Sequence, residues 1–333
     1  MKNVLVTGGA GFIGSNLALE LQRSFPDVHV TVIDDFRSSS FKNLLGFKGE
    51  VLAFDVAQCG RGAHIEAPLQ EIFRDRPLDT IFHLASITDT TVLDEKKMIF
   101  DNVEGFRNIL QLATEKKAQV VYASSAGVYG SGAAPGGTAG GGSQGTPMKE
   151  EDAGKPNNVY GFSKWVMDQL ARTHEGKLKV VGVRYFNVFG PGEWFKASAA
   201  SMIYQLAQQM MAGKRPRIFK WGEQRRDFIY IKDVVAGTLK ALEAKRNTVL
   251  NIGTGQAISF NEVIEAINEG LGTHLDPDYF DNPYDFYQNF TQADMTHTRR
   301  EIGFIVKYTT RAGIIDYVRN YLLPTRQGQP SAV

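Results

Sequence analysis

A glycine-rich turn near the start of the chain restricts the fold more than any other sequence feature. Residues 2–7 (KNVLVT) have the pattern of a strand, and residues 12–24 have apolar side chains at helical spacing. Gly8, Gly11 and Gly14 lie between them and at the helix start. Such glycines permit a tight turn, a close approach of a pyrophosphate and close helix–sheet packing. The pattern predicts a dinucleotide-binding βα unit.

Short apolar runs alternate with helical patterns through the first half of the chain. Further strands are predicted at 28–34, 50–55, 79–85, 118–125 and 178–187. A strand or turn followed by a helix is predicted at 227–244, and another strand at 249–253. Continuous apolar strands separated by helices are typical of a parallel sheet covered on both faces. The predicted fold class is therefore α/β, with a doubly wound parallel (Rossmann) sheet.

Two charged residues after the second strand give conflicting indications about the cofactor. Asp34 is placed to accept hydrogen bonds from an adenosine ribose, which favours NAD. Arg37 is placed to pair with the 2′-phosphate of NADP, unless it is only a solvated loop charge. Asp55 follows the third strand, where it either touches the adenine edge or caps the strand.

Tyr160 and Lys164 form the candidate catalytic pair. They are four residues apart in NNVYGFSKWVMD, about one helical turn, so they share a helix face. Ser125 ends a strand one crossover earlier and can bond the same substrate oxygen. We expect Lys164 to hold the nicotinamide ribose and to lower the phenol pKa, so that tyrosinate takes a proton from a sugar hydroxyl. The alternative is a surface Tyr–Lys pair.

Composition and motifs exclude several other functions. Among 333 residues, 37 Lys and Arg balance 36 Asp and Glu, so no charge pattern favours nucleic acid or an anionic membrane. No apolar run is long enough to span a bilayer, and no secretory signal pattern begins the chain, so a cytoplasmic protein is expected. The six histidines lack HxxxH spacing, no cysteine cluster exists, and no metal site is predicted. His83 and the single Cys59 are interpreted as structural.

One segment interrupts the alternation of strands and helices. Residues 130–146 (GSGAAPGGTAGGGSQGT) predict a flexible surface loop at the end of the sheet where ligands bind. A tolerated insertion is the favoured interpretation, and a functional lid is the alternative.

Six segments together resemble the extended short-chain dehydrogenase/reductase family: TGGAGFIG, IFHLAS, YASSAGVYG, YGFSK, RYFNVFGP and RRDFIYIKDV. The resemblance covers nearly the whole chain. It implies a cofactor domain of residues 1–186 plus about 227–253, and a smaller mixed α/β domain for a nucleotide sugar, about 187–226 plus 254–323, before a tail at 324–333. Family members usually self-associate, so a homo-oligomer is expected.

Three stretches resemble more closely the members that invert carbon 6 of ADP-heptose: residues 83–94, 186–201 and 287–295. This resemblance implies two bases on opposite sides of the sugar, matched here by Tyr160 and Lys196. An epimerase must remove and return hydride on opposite faces of one carbon, and two acid–base groups serve the two substrate orientations. The alternative for Lys196 is a solvated loop lysine.

The resemblance also implies binding residues, with NADP as cofactor and NAD as the alternative. The predicted cofactor contacts are Gly8, Gly11, Phe12, Ile13, Gly14, Asp34, Asp35, Arg37, Asp55, Val56, Leu84, Ala85, Ser86, Asn102, Tyr160, Lys164 and Val188. The predicted nucleotide-sugar contacts are Ser125, Asn187, Ser198, Gln205, Phe219, Lys220, Trp221, Gly222, Arg226 and Tyr287. Two positions depart from the family: Gly192 replaces a usual Arg, and Ser40 replaces a Lys that some members use for the cofactor.

Two other functions remain open at this stage. One is a different nucleotide-sugar enzyme of the same family, such as a UDP-hexose 4-epimerase. A 4,6-dehydratase is disfavoured, because Ala126 and Gly127 follow Ser125 where that chemistry requires an Asp–Glu pair. The other is a non-catalytic NADP-responsive binding protein, against which the intact Ser125, Tyr160 and Lys164 argue.

Overall fold

A parallel sheet forms the centre of the computed structural model, which describes residues 1–57, 69–89, 94–130, 145–283 and 289–323. The strands of this part of the chain are β1 (Asn3–Thr7), β2 (His29–Asp34), β3 (Glu50–Ala53), β4 (Thr80–His83), β5 (Gln119–Ser125), β6 (Val180–Tyr185), β7 (Asn187–Phe189), β8 (Arg217–Phe219), β9 (Arg225–Arg226), β10 (Phe228–Tyr230), β11 (Thr248–Ile252), β12 (Ile258–Ser259), β13 (Asp278–Phe280) and β14 (Phe290–Thr291). The helices are α1 (Phe12–Ser24), α2 (Leu69–Ile72), α3 (Glu95–Ile99), α4 (Gly105–Lys116), α5 (Val159–Arg172), α6 (Met202–Met211), α7 (Ile231–Lys240), α8 (Phe260–Leu271), α9 (Thr296–Ile302) and α10 (Thr310–Tyr317).

The strand order confirms the predicted doubly wound sheet. Across the sheet the order is β3–β2–β1–β4–β5–β6–β11, and each neighbouring pair is parallel. The chain first runs outward from β1 to β3 and then returns to the other side of β1 with β4. Ligands of open parallel sheets bind at such a reversal, beyond the carboxyl ends of the strands.

The central strand β1 shows why the sheet is covered on both faces. Val4 and Val6 belong to one hydrophobic cluster, together with Leu17 of α1. Leu5 points to the other face and packs in a second cluster with Ile109 of α4. Since successive side chains of a strand point to opposite faces, a continuous apolar strand requires this two-sided cover.

The predicted strand at 178–187 is divided at Phe186, which corrects the sequence interpretation. The backbone N–H of Phe186 still donates to Ile252 in β11, but that of Asn187 donates to the carbonyl of Asp227. The chain leaves the main sheet there, and β7 pairs with β10 instead. The division depends on a partner 40 residues away, so the local apolar pattern does not reveal it.

The remaining strands form small sheets outside the main one. Strand β9 pairs with β12 and β14, and β8 pairs with β13. One hydrophobic cluster contains residues of both predicted domains, including Val6 and Ile267. The division into two domains therefore stays a prediction. The Gly-rich residues 131–144, Cys59 and the tail at 324–333 lie outside the described residues. In the part of the chain that is described, no helix is both long and apolar enough to cross a membrane.

The glycine turn between β1 and α1 is closely packed. Gly8 has φ +67°, in the left-handed region that favours glycine, and its N–H donates to Ile33 in β2. A Cβ on Gly14 would lie 2.1 Å from the Gly8 carbonyl oxygen. The first turn of α1 therefore sits against the turn itself, which only a residue without a side chain permits.

We expect Gly14→Ala to lower the free energy of unfolding, because backbone atoms must move to admit the methyl group. Overpacking of this kind typically costs about 1–3 kcal/mol. The control is Gly105→Ala in α4, where the nearest atom to a new Cβ is a Val56 methyl at 3.3 Å. The midpoint of urea denaturation should fall for Gly14→Ala and change little for Gly105→Ala. Equal midpoints for the two variants would contradict the packing argument.

Candidate active site

A cavity of about 600 Å³ opens at the carboxyl ends of the parallel strands. This volume is typical of sites for small molecules and cofactors, which span roughly 300–1,000 Å³. Predicted site residues that line it are Gly8, Gly11, Phe12, Ile13, Gly14, Asp34, Asp35, Arg37, Asp55, Val56, Leu84, Ala85, Ser86, Ser125, Tyr160, Lys164, Val188 and Lys196. The structure thus brings together residues from the glycine turn, the strand ends, α5 and a loop after β7.

The glycine turn leaves room for a phosphate at the start of α1. Gly11 is the N-cap of this 13-residue helix, and no side chain caps it. Within 4 Å, a Cβ built on Gly11 would meet only the Gly8 carbonyl oxygen, at 3.1 Å, so this side of the turn is open. The free N–H groups and the helix dipole favour an anion at this position. The residues present therefore fit the pyrophosphate of a dinucleotide.

Asp34 is fixed at the end of β2 by its own neighbourhood. One carboxylate oxygen accepts from the Ala10 N–H at 2.9 Å, and the other accepts from the Phe36 N–H at 2.9 Å and the Ser39 hydroxyl at 2.8 Å. The side chain is buried yet lines the cavity. A carboxylate held in this way presents its remaining lone pairs in one direction, as recognition of a ribose requires.

Arg37 is surrounded by carboxylates. Its guanidinium bonds Asp35 at 2.5 Å and Asp101 at 3.0 Å, and it lies 3.5 Å from Asp55. Asp101 is also paired with Lys97, at 2.7 Å. An incoming 2′-phosphate would have to compete with three negative groups for this arginine, so the conflict between Asp34 and Arg37 persists in the structure.

Tyr160, Lys164 and Ser125 meet at the other end of the cavity. The side chain of Asn158 accepts from the Gly161 N–H and so begins α5, which places Tyr160 in its first turn. Tyr160 shares a side-chain hydrogen bond with Ser125. Lys164 donates to the Ser86 hydroxyl and to the Ala123 carbonyl at 2.8 Å, and its Nζ lies 5.9 Å from the centre of the Tyr160 ring.

Burial dominates the ionisation of this group. Desolvation raises the pKa of Tyr160, although the hydrogen bond from Ser125 opposes the rise. The expected lowering of the phenol pKa by Lys164 is therefore not seen. Desolvation also lowers the pKa of Lys164 to about 7, against the charge of Asp168. Desolvation of the phenol is the largest effect on its pKa, which explains the difference.

Asp168 lies one helical turn beyond Lys164 and belongs to a buried charge network. Its carboxylate accepts from Arg184 at 2.8 Å and from the Tyr122 hydroxyl at 2.8 Å. Both charged side chains are at most 1% exposed. Removing one partner of a buried ion pair costs about 3–5 kcal/mol. The pair therefore holds α5 against the sheet, and with it the helix face that carries Tyr160 and Lys164.

Lys196 reaches the same cavity from a different direction. It belongs to the short helical turn Trp194–Ala199 between β7 and α6. Its Nζ lies 5.8 Å from the centre of the Phe12 ring, at the start of α1. Desolvation lowers the pKa of Lys196, and the nearby charge of Glu193 opposes this effect. Two groups able to exchange protons, Tyr160 and Lys196, thus line one cavity from separate segments.

The contacts of the His83 ring are those of a structural residue. Its Nδ1 shares a 2.8 Å hydrogen bond with the Thr7 hydroxyl, and its ring stacks on Phe106. Desolvation and the charge of Lys164 lower its pKa to about 3. The ring stays neutral at physiological pH and does not line the cavity.

Several predicted contacts lie away from this cavity. Asn102 was predicted to lie along the cofactor, but it is fully buried and bonds Ile87 and Ser163, behind the cavity wall. The predicted substrate residues outside the cavity lining are Asn187, Ser198, Gln205, Phe219, Lys220, Trp221, Gly222 and Arg226. Tyr287 lies outside the described residues.

Two of these substrate residues are used by the protein itself. Asn187 donates to Asp227 and Thr291, and Gln205 donates to the carbonyls of Ser198 and Ala200. Their roles toward a sugar stay predictions. The segment 219–222 forms part of an aromatic cluster, in which Phe219 packs on Phe280 and Trp221 on Tyr279. Trp221 is 66% exposed, which suits a surface that stacks on a ligand.

The structure also shows cavity residues that the sequence interpretation missed. Ser124 lines the cavity, and its buried hydroxyl has no hydrogen-bond partner among the described residues. The sequence feature that could have indicated Ser124 is its position beside Ser125, at the end of a predicted strand. Lys97, Asp101 and Phe195 also line the cavity, and no sequence signal indicated that they meet the loop after β2 or the glycine turn.

The doubly wound sheet, the glycine turn and a Tyr–Lys pair on one cavity are the features of a nucleotide-binding enzyme class. The chain belongs to the NAD dependent epimerase/dehydratase family, whose sequence model matches residues 4–253. The predicted resemblance to the extended short-chain dehydrogenase/reductase family is thereby confirmed.

Solved structures of similar sequence agree with this assignment. An ADP-L-glycero-D-manno-heptose-6-epimerase from Helicobacter pylori is 40% identical, with 95% of each chain covered and a TM-score of 0.83. A UDP-N-acetylglucosamine 4-epimerase from Methanobrevibacter ruminantium is 27% identical (98% of this chain, 99% of the other, TM-score 0.81). A UDP-glucose 4-epimerase from Thermotoga maritima is 26% identical (97% and 99%, TM-score 0.83).

We expect the buried Lys164 to make stability depend on pH. Its folded-state pKa of about 7 lies below the ordinary 10.5, so between these values the unfolded chain holds a proton that the folded chain lacks. Through this group, stability rises with pH across that window, by up to about 1.4 kcal/mol per pH unit. Below pH 7 both states hold the proton and the contribution stays constant.

The measurement is urea denaturation at a series of pH values for wild type, Lys164→Met and the control Lys42→Met, which removes an exposed lysine. Wild type and Lys42→Met should become more stable relative to Lys164→Met as pH rises through the window. Three parallel curves would contradict the burial of a titrating ammonium at Lys164.

Proposed function

We propose that this protein is a nucleotide-sugar epimerase that inverts carbon 6 of ADP-heptose, with a bound nicotinamide dinucleotide. The observation that carries the proposal is the presence of two proton-exchanging side chains, Tyr160 and Lys196, on separate walls of one cavity. The 40% identity to the H. pylori heptose epimerase supports the choice of substrate. Similarity to the two 4-epimerases makes a UDP-hexose 4-epimerase the alternative.

In this proposal the cofactor extends along the strand ends. The glycine turn and the N-terminus of α1 hold the pyrophosphate, Asp34 faces the adenosine ribose, and Lys164 with Ser86 faces the nicotinamide ribose. The nicotinamide supplies a reversible hydride acceptor beside Tyr160. The exposed aromatic segment at 219–222 and Arg226 are proposed to bind the nucleotide of the substrate, where Arg226 can pair with a diphosphate.

The two acid–base groups divide the work between the two halves of the reaction. In the oxidation, Tyr160 takes the proton of the sugar hydroxyl as hydride leaves the carbon. In the reduction, the ketone takes its second orientation, its carbon receives hydride on the other face, and Lys196 gives its proton to the oxygen. After one forward turnover Tyr160 holds an extra proton and Lys196 lacks one, and proton exchange with solvent returns both groups to their first protonation state. The reverse epimerisation uses the two groups in exchanged roles. Ser125 holds the reacting oxygen in the orientation that Tyr160 serves.

We expect Lys196→Ala and Tyr160→Phe each to lower the saturated rate on ADP-heptose by about a hundredfold or more, because each removes one general acid–base. The matched control is Lys42→Ala, which removes a lysine placed 5.5 Å from the Trp194 ring of the same loop. Epimer composition at carbon 6 is followed by NMR. An unchanged saturated rate for Lys196→Ala would remove Lys196 from the mechanism. Turnover of UDP-hexose that needs only Tyr160 would favour the 4-epimerase.

A preference for NADP over NAD stays a prediction, and Arg37 is the residue on which it depends. We expect Arg37→Ala to weaken NADP binding about tenfold and to leave NAD binding nearly unchanged, since only NADP has a 2′-phosphate. Asp35→Asn should shift the NADP-to-NAD affinity ratio upward, because it removes a carboxylate that holds Arg37. Titration calorimetry with both nucleotides measures the ratios. Equal changes for NAD and NADP in both variants would contradict a role for Arg37.

A further inference from the structure

The loop that carries Lys196 has an irregular backbone. We call residues 190–201 the lysine loop. Gly190 and Gly192 have φ values of +141° and +97°, and Ala197 has φ +48°. An alanine in this region is unusual and requires the surrounding contacts to hold it. The position of Lys196 therefore depends on whatever fixes the lysine loop.

The carboxylate of Glu193 joins the two ends of the lysine loop. Its Oε1 accepts from the Gly190 N–H at 3.0 Å and from the Ser201 hydroxyl at 3.0 Å, and its Oε2 accepts from the Ser201 N–H at 2.6 Å. The side chain is fully buried. Because Ser201 is also the N-cap of α6, one buried charge fixes the start of the loop, its end and the following helix.

Neutral contacts hold the lysine loop from the outside. Asn16 of α1 donates to the Pro191 carbonyl at 2.9 Å, and Asn43 donates to the Gly192 carbonyl at 3.1 Å. The indole N–H of Trp194 donates to Asn43 at 3.0 Å. None of these contacts brings a charge to the loop. These neutral contacts hold the outer side of the loop, and the carboxylate of Glu193 holds its two ends.

The charge of Glu193 acts on Lys196. The backbone N–H of Lys196 donates to the Glu193 carbonyl at 3.0 Å, which keeps the two residues on one turn. Desolvation lowers the pKa of Lys196, and the Glu193 charge opposes it. Tyr204 of α6 and Tyr317 of α10 lie near enough to Glu193 for its charge to raise their pKa values, and Tyr317 shares a side-chain hydrogen bond with it. Tyr160 and Lys164 of α5 line the same cavity as Lys196.

We propose that Glu193 is a positioning residue for the reaction: its buried carboxylate closes the lysine loop, holds Lys196 at the cavity wall and places a fixed negative charge on the same turn. The inference rests on the proposed function, in which Lys196 is the second acid–base group. Without this charge, the half-buried lysine would lose its proton to solvent at a lower pH, and the reduction half of the reaction would lack its acid.

The test uses Glu193→Gln, which keeps the shape of the side chain and removes its charge. Trace acetylation with acetic anhydride at a series of pH values, read by mass spectrometry of the Lys196 peptide, measures the ionisation of Lys196 without turnover. We expect the midpoint to fall by about one pH unit or more in Glu193→Gln. The limb of the kcat–pH profile that reports the ionisation of Lys196 should shift to lower pH by the same amount.

Two further variants separate charge from structure. Ser201→Ala removes one hydrogen bond to the carboxylate and keeps the charge, so the Lys196 midpoint should stay in place while kcat falls. Glu193→Asp keeps the charge and shortens its reach, so the midpoint should stay in place while kcat falls. Where Glu193→Gln does not fold, an unchanged kcat in Glu193→Asp would overturn the proposal. Equal midpoints in wild type and Glu193→Gln, or a midpoint in Ser201→Ala that moves as far as in Glu193→Gln, would overturn the proposal. Failure of the proposed function gives a different result, an unchanged saturated rate in Lys196→Ala, and so is distinguished from failure of the proposal for Glu193.

Discussion

The parallel arrangement of the central strands is the constraint on which the site depends. All the strands end at one edge, so the turns after β1, β2, β4 and β5 converge there whatever their distance in sequence. Gly8, Asp34, Ser86 and Ser125 reach the same cavity for this reason. The sheet itself is specified by apolar strands that require cover on both faces. The parallel sheet therefore determines both how the core packs and where the site lies.

The two lysines of the cavity have similar surroundings. Lys164 and Lys196 are both desolvated enough to lower their pKa values, and each has a buried carboxylate behind it, Asp168 and Glu193 respectively. Each carboxylate is itself held by hydrogen bonds from other parts of the chain, so its charge is fixed in place. A lysine balanced between burial and a fixed charge releases its proton more readily than a solvated one, which suits a group that exchanges protons.

Features with a local cause could be predicted from the sequence, and features with a distant cause could not. The glycine turn and the Tyr160–Lys164 pair follow from spacing within one element, and the structure places all of them on the cavity. The break of the predicted strand at Phe186 depends on Asp227, and the fully buried Arg184 depends on Asp168 in α5. For the lysine loop, the sequence allowed a prediction only through resemblance to a family. A loop closed by a single carboxylate has no periodic pattern from which its structure could be predicted.

The departure at Gly192 has a structural meaning that resemblance alone did not give. Its φ of +97° is strained for any residue with a side chain, and a Cβ there would lie 3.0 Å from the amide of Asn16. Asn16 and Asn43 instead bind the carbonyls on either side of this bend. An arginine at this position would have to displace these contacts or change the bend. The lysine loop is therefore held at this bend through its backbone carbonyls, by two neutral side chains from α1 and the segment after β2.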